Sequence, residues 1–281
     1  MTKQIHCLDF TIFDTETTGL NPGAGDRIVE IAAIRYREGL PVAEFQSLIN
    51  PQRPISEEAF RINKISASMV QNAPTFDRIV PQFFDFIKGS FLCSYNAPFD
   101  IGFLMNELAL YKDNQAAEAG LHVLEDLVII DALRMARKLM PHLERHALWF
   151  VAESLDIRAA QEHRAFSDVE LTWSVFEKLT RLAGDKGIVD FNHFILLFGI
   201  DTKLVNTLNT RKMAEIQEAI DRKTNITIKY LSSSHAELSE RQIMPKEIRQ
   251  DRNRWYLTGF CALRGEERTF RIDNIVSVES C

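Results

Sequence analysis

The segment Phe13-Asp14-Thr15-Glu16-Thr17-Thr18-Gly19 decides the reading of this chain. It closes an apolar, β-rich run from Cys7 to Asp14, so the two acids are expected at the end of a strand. Strand residues two apart project to the same side of a sheet. Carboxylates held that close repel, and one of them stays protonated unless a cation lies between them. A bare Asp-x-Glu is also an ordinary strand-end turn, and alone it identifies nothing.

Working outward, Gly19-Leu20-Asn21-Pro22-Gly23 is a turn cluster. Arg27 to Arg37 partly alternates apolar and polar residues, as a half-buried strand does. Gly39-Leu40-Pro41 turns the chain, and Val42 to Ile49 reads as a third strand. Three strands with short turns are expected to pair antiparallel. The period then changes. Phe76 to Ile87 places Ile79, Phe83, Phe84 and Ile87 on one helical face, and Gly89 stops it. Phe91 to Ser94 reads as a short buried strand, Ile101 to Tyr111 as a helix, and Leu127 to Ile130 as another strand ending at Asp131. Helices are expected near 132–139, 146–154 and 166–182. The order predicts a mixed sheet with helices against its faces.

Residues 184–206 are too apolar for a flexible linker, with Phe191, Phe194, Ile195, Leu196, Leu197 and Phe198 among them. They are expected to pack on one domain or between two. Met213 to Asp221 reads as a short helix. From Ile226 the period returns to two, with strands at Ile226 to Leu231, Gln242 to Lys246, Arg254 to Ala262, Glu267 to Ile272 and Ile275 to Val278. That spacing suggests a small barrel or sandwich.

The chain has 281 residues, enough for two domains, with 46% hydrophobic and 26% charged residues, as in soluble globular proteins. No segment offers the roughly 18 uninterrupted apolar residues of a membrane span. Residues Met1 to His6 lack a signal peptide's apolar core. The four cysteines are scattered and form no zinc or disulfide pattern. A cytoplasmic location and no membrane partner are therefore expected. The net charge of −6 is carried by the first 183 residues, whereas the remainder is near balance. A bulk nucleic-acid binder would be basic, but an enzyme holding metals with carboxylates takes its positive charge from the cations.

Two further segments give the first one meaning. Asn96-Ala97-Pro98-Phe99-Asp100 follows a short apolar strand and opens a helix; His163-Arg164-Ala165-Phe166-Ser167-Asp168 opens another. Alone, Asp100 and Asp168 would be first-turn acids favoured by the helix dipole, and His163 a surface residue. Together with Asp14 and Glu16 they supply four carboxylates and an imidazole, a set able to hydrolyse phosphodiesters. Hard Mg²⁺ or Mn²⁺ prefers such oxygen ligands. Two such ions would clamp the attacking and leaving oxygens of an in-line displacement. In that scheme Asp14 bridges both ions, Glu16 and Asp168 hold the one that activates water, Asp100 serves the leaving-group ion, and His163 is the general base.

The order Asp-x-Glu, then Asn-Ala-Pro-Phe-Asp, then His-x-x-x-x-Asp resembles the DEDD 3′–5′ exonucleases of the histidine-containing branch, which includes the epsilon subunit of DNA polymerase III. The resemblance covers about residues 6–183. It implies a ribonuclease H-like α/β fold with a mixed five-stranded sheet and flanking helices. It also implies release of nucleoside 5′-monophosphates from single-stranded 3′ ends. Asn96 and Phe99 belong to the matching motifs, and Thr17, Thr18 and Leu20 match positions that line the terminal nucleotide. Turn chemistry explains Thr17 and Thr18 equally well. The chain departs from the epsilon pattern at Asn63-Lys64-Ile65-Ser66, where His-Gly-Ile-Thr is common, and at Tyr95, where His is common.

Arg254-Trp255-Tyr256-Leu257-Thr258-Gly259-Phe260, with the strands around it, makes residues from about 210 to 279 resemble a WYL domain. That implies a small SH3/Sm-like barrel that binds nucleic acid or a nucleotide-like ligand. Tyr230, Arg241, Trp255, Tyr256, Arg268 and Arg271 match the family's positions. From the residues alone, Trp255 and Leu257 read as core on one strand face. Arg268 and Arg271 are three apart, so a regular strand sends them to opposite faces and only a bulge would join them. A solvated charged face explains these arginines as well as ligand binding does.

The expected organisation is therefore an exonuclease domain over 1–183, a helical connection over 184–209 and a WYL-like domain over 210–281. The expected function is a 3′–5′ exonuclease with two divalent ions, favouring DNA over RNA, with no polymerase partner. Two competing readings are a ligand-sensing module in which the nuclease fold is secondary, and an exoribonuclease.

Overall fold

The computed structural model describes residues 5, 8–111, 115–158, 164–200, 202–252 and 254–280. The chain starts with three strands, β1 (Phe10–Thr17), β2 (Ile28–Arg37) and β3 (Leu40–Leu48). Helices α1 (Glu57–Asn63), α2 (Ala67–Val70) and α3 (Phe76–Ile87) follow, then β4 (Phe91–Ser94), α4 (Ala97–Leu110), α5 (Gln115–Asp126) and β5 (Ile129–Asp131). Four helices complete this part: α6 (Ala132–Leu139), α7 (Leu148–Ser154), α8 (Ala165–Asp185) and α9 (Phe191–Phe198). The sheet order is β3-β2-β1-β4-β5. The first three strands are antiparallel and β4 and β5 run parallel to β1, which makes the sheet mixed, as expected.

Period two on β1 sorts its side chains between two cores. Phe10 and Ile12 face α6, α8 and α9, whereas Phe13 faces α3 and α4. Full burial of each such side chain stabilises by about 1.5–3 kcal/mol. β2 differs from the half-buried strand expected: every residue from Ile28 to Ile34 is buried, because helices cover both faces of the sheet. β3 is the edge strand, and its residues from Leu40 to Glu44 are all exposed. The turn before it is Glu38-Gly39, both with positive φ (51° and 84°), which matches the hairpin twist. Leu40 and Pro41 already belong to β3. β1 also extends through Thr17, so the motif acids lie within the strand rather than at its end.

Helix α5 has no counterpart in the periodicity analysis. Its buried face is Ala117, Gly120 and Leu124, and with two of the three so small the hydrophobic period is weak. α1 and α2 are too short to show one.

The rest is α10 (Lys203–Arg222) and strands β6 (Ile226–Leu231), β7 (Leu238–Asp251), β8 (Arg254–Cys261), β9 (Glu266–Arg271) and β10 (Ile275–Ser280). These form an antiparallel sheet in the order β10-β6-β7-β8-β9. Among the described residues no pairing joins β9 to β10, so the sheet is open where a closed barrel was expected. Its core sets Ile226, Ile228, Ile243, Leu257 and Phe270 against Ile216 and Ala219 of α10. Pro245 is tolerated inside β7 because it lies where the register with β8 shifts. Gly259 is required opposite it, since a Cβ there would stand 2.6 Å from the Met244 carbonyl oxygen. Trp255 corrects the expectation of core: Leu257 is fully buried, but Trp255 is 42% exposed at the strand's start, where a cavity separates it from α10.

As expected of the apolar connection, α9 packs into the first core, and Leu231 and Val276 of the second sheet join the same cluster. Lys212 of α10 is buried, and its Nζ donates to the carbonyls of Ile272 and Ile275, each at 2.9 Å. Among the described residues no helix is long and apolar enough to cross a membrane.

Candidate active site

Asp14 and Glu16 continue the β1 face that carries Phe10 and Ile12, so they point towards α8. Asp168 stands in the first turn of α8. One oxygen from each of Asp14, Glu16 and Asp168 lies within 4.8 Å of the others. The start of α8 is set by Glu30 on β2, which pairs across the sheet with Glu16. The Glu30 carboxylate is buried and accepts from Arg164 Nη2 at 2.7 Å, Arg164 Nε at 3.1 Å and the Ala165 amide at 3.3 Å. A two-point guanidinium–carboxylate pair fixes direction as well as distance.

Asp100 stands beside the trio rather than in it. It opens α4, which packs on the other face of the sheet, and β1 turns Thr15 to that face. The Thr15 amide and hydroxyl donate to Asp100 Oδ1 at 3.0 and 2.7 Å, and the Ser94 hydroxyl donates to Oδ2 at 2.5 Å. α4 is itself tied to β2, because Arg27 donates to both Glu107 oxygens at 2.8 and 2.7 Å. Asn96, expected in the substrate motif, is exposed in the left-handed region (φ 73°) before α4, and its amide donates to Asp131 at 3.1 Å. Phe99 is partly buried against Phe103.

The carboxylates hold their protons unusually well. Burial, followed by Asp100, Glu16 and Asp168, raises Asp14 well above the ordinary carboxylate range. Burial, then Asp168 and Glu30, pushes Glu16 up to about 8. Burial also lifts Asp100, to about 6, against the hydrogen bonds from Ser94 and Thr15. Acids crowded in this way mark a place where positive charge is welcome. Among the described residues the donor set consists of carboxylate oxygens, and it fits a hard divalent cation.

The loop after β1 is held by its own polar groups. The Thr17 hydroxyl donates to the Gly19 carbonyl at 2.5 Å and the Thr18 hydroxyl to Asp26 at 3.1 Å. A Cβ on Gly19 would overlap the Asp26 carboxylate. Both threonine side chains thus serve the turn, and Leu20 projects from it, 81% exposed. Asn63 donates to the Thr17 carbonyl at 3.2 Å and accepts from the Ile65 amide at 3.0 Å. Lys64 follows with φ 59° as the left-handed cap of α1, a conformation that suits the glycine common at this position of the epsilon pattern. His163 lies outside the described residues.

The residues expected on the C-terminal sheet come together only in part: Tyr256 and Tyr230 both act on the Arg271 guanidinium, whereas Arg268 stands apart. Tyr256 pairs with Arg271 across unbroken β8–β9 register, so no bulge brings Arg268 round to Arg271. Arg268 pairs instead with Glu266 at 2.9 Å, in solvent. Arg271 is held by Asp273, Tyr230 packs edge-on against Phe270, and Arg241 donates to the Ser239 hydroxyl at 3.1 Å.

Sequence reasoning missed Glu30, Asn63, Ser94 and Glu107 as positioning residues. Glu30 and Glu107 did carry a signal: each is an acid on an otherwise apolar face, and acids are almost never buried unless paired.

The exonuclease family profile matches residues 11–176, and the WYL domain profile matches residues 211–280. The DNA polymerase III epsilon subunit of Rickettsia felis is 40% identical over 174 residues, 60% of this chain and 72% of that protein. A PolC-type DNA polymerase III of Caldanaerobacter subterraneus is 30% identical over 216 residues, 75% of this chain, but the chain spans only 15% of that polymerase. A solved structure of exonuclease I superposes with a TM-score of 0.58 at 15% identity, covering 97% of this chain and 64% of that one. That likeness, which spans both sheets, is one of fold.

Proposed function

This chain belongs to the exonuclease family, and from that premise we propose that it is a metal-dependent 3′–5′ exonuclease of the histidine-containing DEDD branch. It acts on single-stranded 3′ ends, DNA in preference to RNA, and releases nucleoside 5′-monophosphates. The observation that carries this reading is the convergence of Asp14, Glu16 and Asp168 from β1 and α8 within 4.8 Å. These three, with Asp100 beside them, would hold two Mg²⁺ or Mn²⁺ ions.

When bound, such ions neutralise the phosphate and lower the proton affinity of a coordinated water. The chain's own residues do the rest. His163, five positions before Asp168, takes the proton of the attacking water. The bond between phosphorus and the 3′ oxygen breaks; the phosphate leaves on the terminal nucleoside, and the shortened strand keeps a 3′ hydroxyl. Exposed Leu20 offers an apolar surface to the terminal base, and the backbone of the Thr17–Thr18 turn sets its place.

We take residues 1–183 as the catalytic domain, 184–209 as its helical connection and 210–281 as the WYL domain, which contacts nucleic acid or a nucleotide. The test is degradation of matched single-stranded DNA, RNA and duplex ends with Mg²⁺ or Mn²⁺, reading release of mononucleotides. Absence of mononucleotides on every substrate rejects the function; faster loss of RNA than of DNA rejects the preference.

A further inference from the structure

Between the two domains lies a cleft that, among the described residues, none of the catalytic side chains lines. It consists of two adjoining cavities of about 370 and 670 Å³, whose walls share Arg134, Arg254, Arg271 and Asp273. Arg137 and Lys138 line the first cavity as well. Among the described residues, five cationic side chains therefore meet two carboxylates there, Asp131 and Asp273. Asp273 is already held by Arg271 Nε at 3.0 Å and has Lys138 at 3.9 Å. Asp131 accepts from the Asn96 and Leu133 amides. Among the described residues no carboxylate pairs with Arg137 or Arg254. The cleft is thus positively charged within a chain whose net charge is −6.

Exposed Trp255 lines the second cavity with Asn206 and Asn209. Guanidinium forks match phosphate oxygens, indole faces stack on bases, and amides hydrogen-bond to base edges. Burial pulls the Lys138 ammonium down to about 7, with Arg134 among the groups that oppose its charge; an anion in the cleft would relieve that repulsion.

We propose that this cleft binds a phosphate ester carrying a base, its phosphate between Arg134 and Arg137 of the exonuclease domain and Arg254 and Arg271 of the WYL domain, its base against Trp255. The ligand bridges the two domains. It is either a stretch of the single strand upstream of the 3′ end or a free mononucleotide. Of the six positions that match the WYL family, Trp255 and Arg271 line the cleft; half of the phosphate cradle comes from α6. Pro98, at the start of α4, shares the first cavity, so a bound ligand touches the helix that carries Asp100.

The experiment measures binding without turnover, so it is independent of the catalytic reading. Full-length protein carrying Asp14→Asn is kept in EDTA. Trp fluorescence and anisotropy follow thymidine, thymidine 5′-monophosphate and a labelled thymidine oligonucleotide of roughly 12 nucleotides. The same titrations are run with Arg137→Ala and Arg254→Ala added, both exposed positions, after thermal melts confirm an unchanged fold. The expected result is binding of a phosphate-bearing probe but not of thymidine, weakened about tenfold or more by the double substitution. For the oligonucleotide, the log–log salt slope should also become shallower by about 1.4. Binding of the oligonucleotide alone identifies the strand as ligand, and binding of the monophosphate as well identifies a nucleotide effector. Thymidine binding as tightly as its monophosphate, no binding of either phosphate probe, or a double variant indistinguishable from its parent overturns the proposal.

Discussion

Glu30 and Arg164 form a two-point ion pair, at 2.7 and 3.1 Å, that joins the first half of β2 to the residue preceding α8. The Glu30 side chain is 1% exposed and that of Arg164 36%. The pair stands directly behind the carboxylate trio, and through it the sheet dictates where Asp168 points.

Arg164→Ala should therefore unfold more easily and lose activity. It strands a buried carboxylate, which costs about 3 kcal/mol, the lower end of the range because Arg164 keeps some solvent contact. Urea titration measures the loss. Arg164→Lys should recover only part of it, because an ammonium cannot reproduce the fork. An Arg164→Ala protein as stable as wild type would show that the pair does not hold α8.

Asp14→Ala and Asp168→Ala should each reduce mononucleotide release to background. His163→Ala should lose roughly 10²–10⁴-fold, the usual share of general acid–base catalysis. These rates come from a labelled-oligonucleotide time course, and an unchanged His163→Ala rate removes that residue from the base role.

Without divalent metal, thermal stability should fall as pH rises from about 5 to 8. Glu16 titrates near 4.5 ordinarily and is pushed up to about 8 in the fold, so the folded protein binds that proton more tightly than the unfolded chain. The resulting stabilisation is whole below pH 4.5 and is lost as pH climbs through 8; Asp14, shifted the same way, adds to it. Melting curves in EDTA should show the decline, Glu16→Gln should flatten it, and Mn²⁺ or Mg²⁺ should restore stability at pH 8. A flat profile in EDTA would contradict the crowding of these acids.

Lys64→Gly should raise stability slightly, by about 0.5–1 kcal/mol. Relief of a left-handed residue is worth roughly 1–2 kcal/mol, and the freedom glycine adds to the unfolded chain offsets about half. Asn63→Ala should act in the opposite direction, by about 1–3 kcal/mol, because it leaves the Ile65 amide without its acceptor. Paired denaturant midpoints measure both, and a destabilised Lys64→Gly protein would refute the strain argument.

Much was legible in one dimension because it rests on periodicity and local chemistry. Period two placed Asp14 and Glu16 on one side of β1, the apolar run of 191–198 declared itself buried, and the first-turn positions of Asp100 and Asp168 followed from their flanking residues. α5 was hidden because its buried face is built of Ala117 and Gly120. Trp255 was misread because strand period cannot show that a cavity, not a packed side chain, separates it from α10.

The sequence by itself determined which side chains could form a carboxylate site and in what order the elements carrying them occur. Only the tertiary structure decided that Asp168 joins Asp14 and Glu16 while Asp100 is held apart by Thr15 and Ser94. It also decided that Glu30 and Glu107 hold the frame and that α6 meets the second sheet in a basic cleft. The reason is physical: a pattern of period two or 3.6 specifies which face a residue takes, whereas the neighbour across that face comes from elements as far away in the chain as the 134 residues between Glu30 and Arg164.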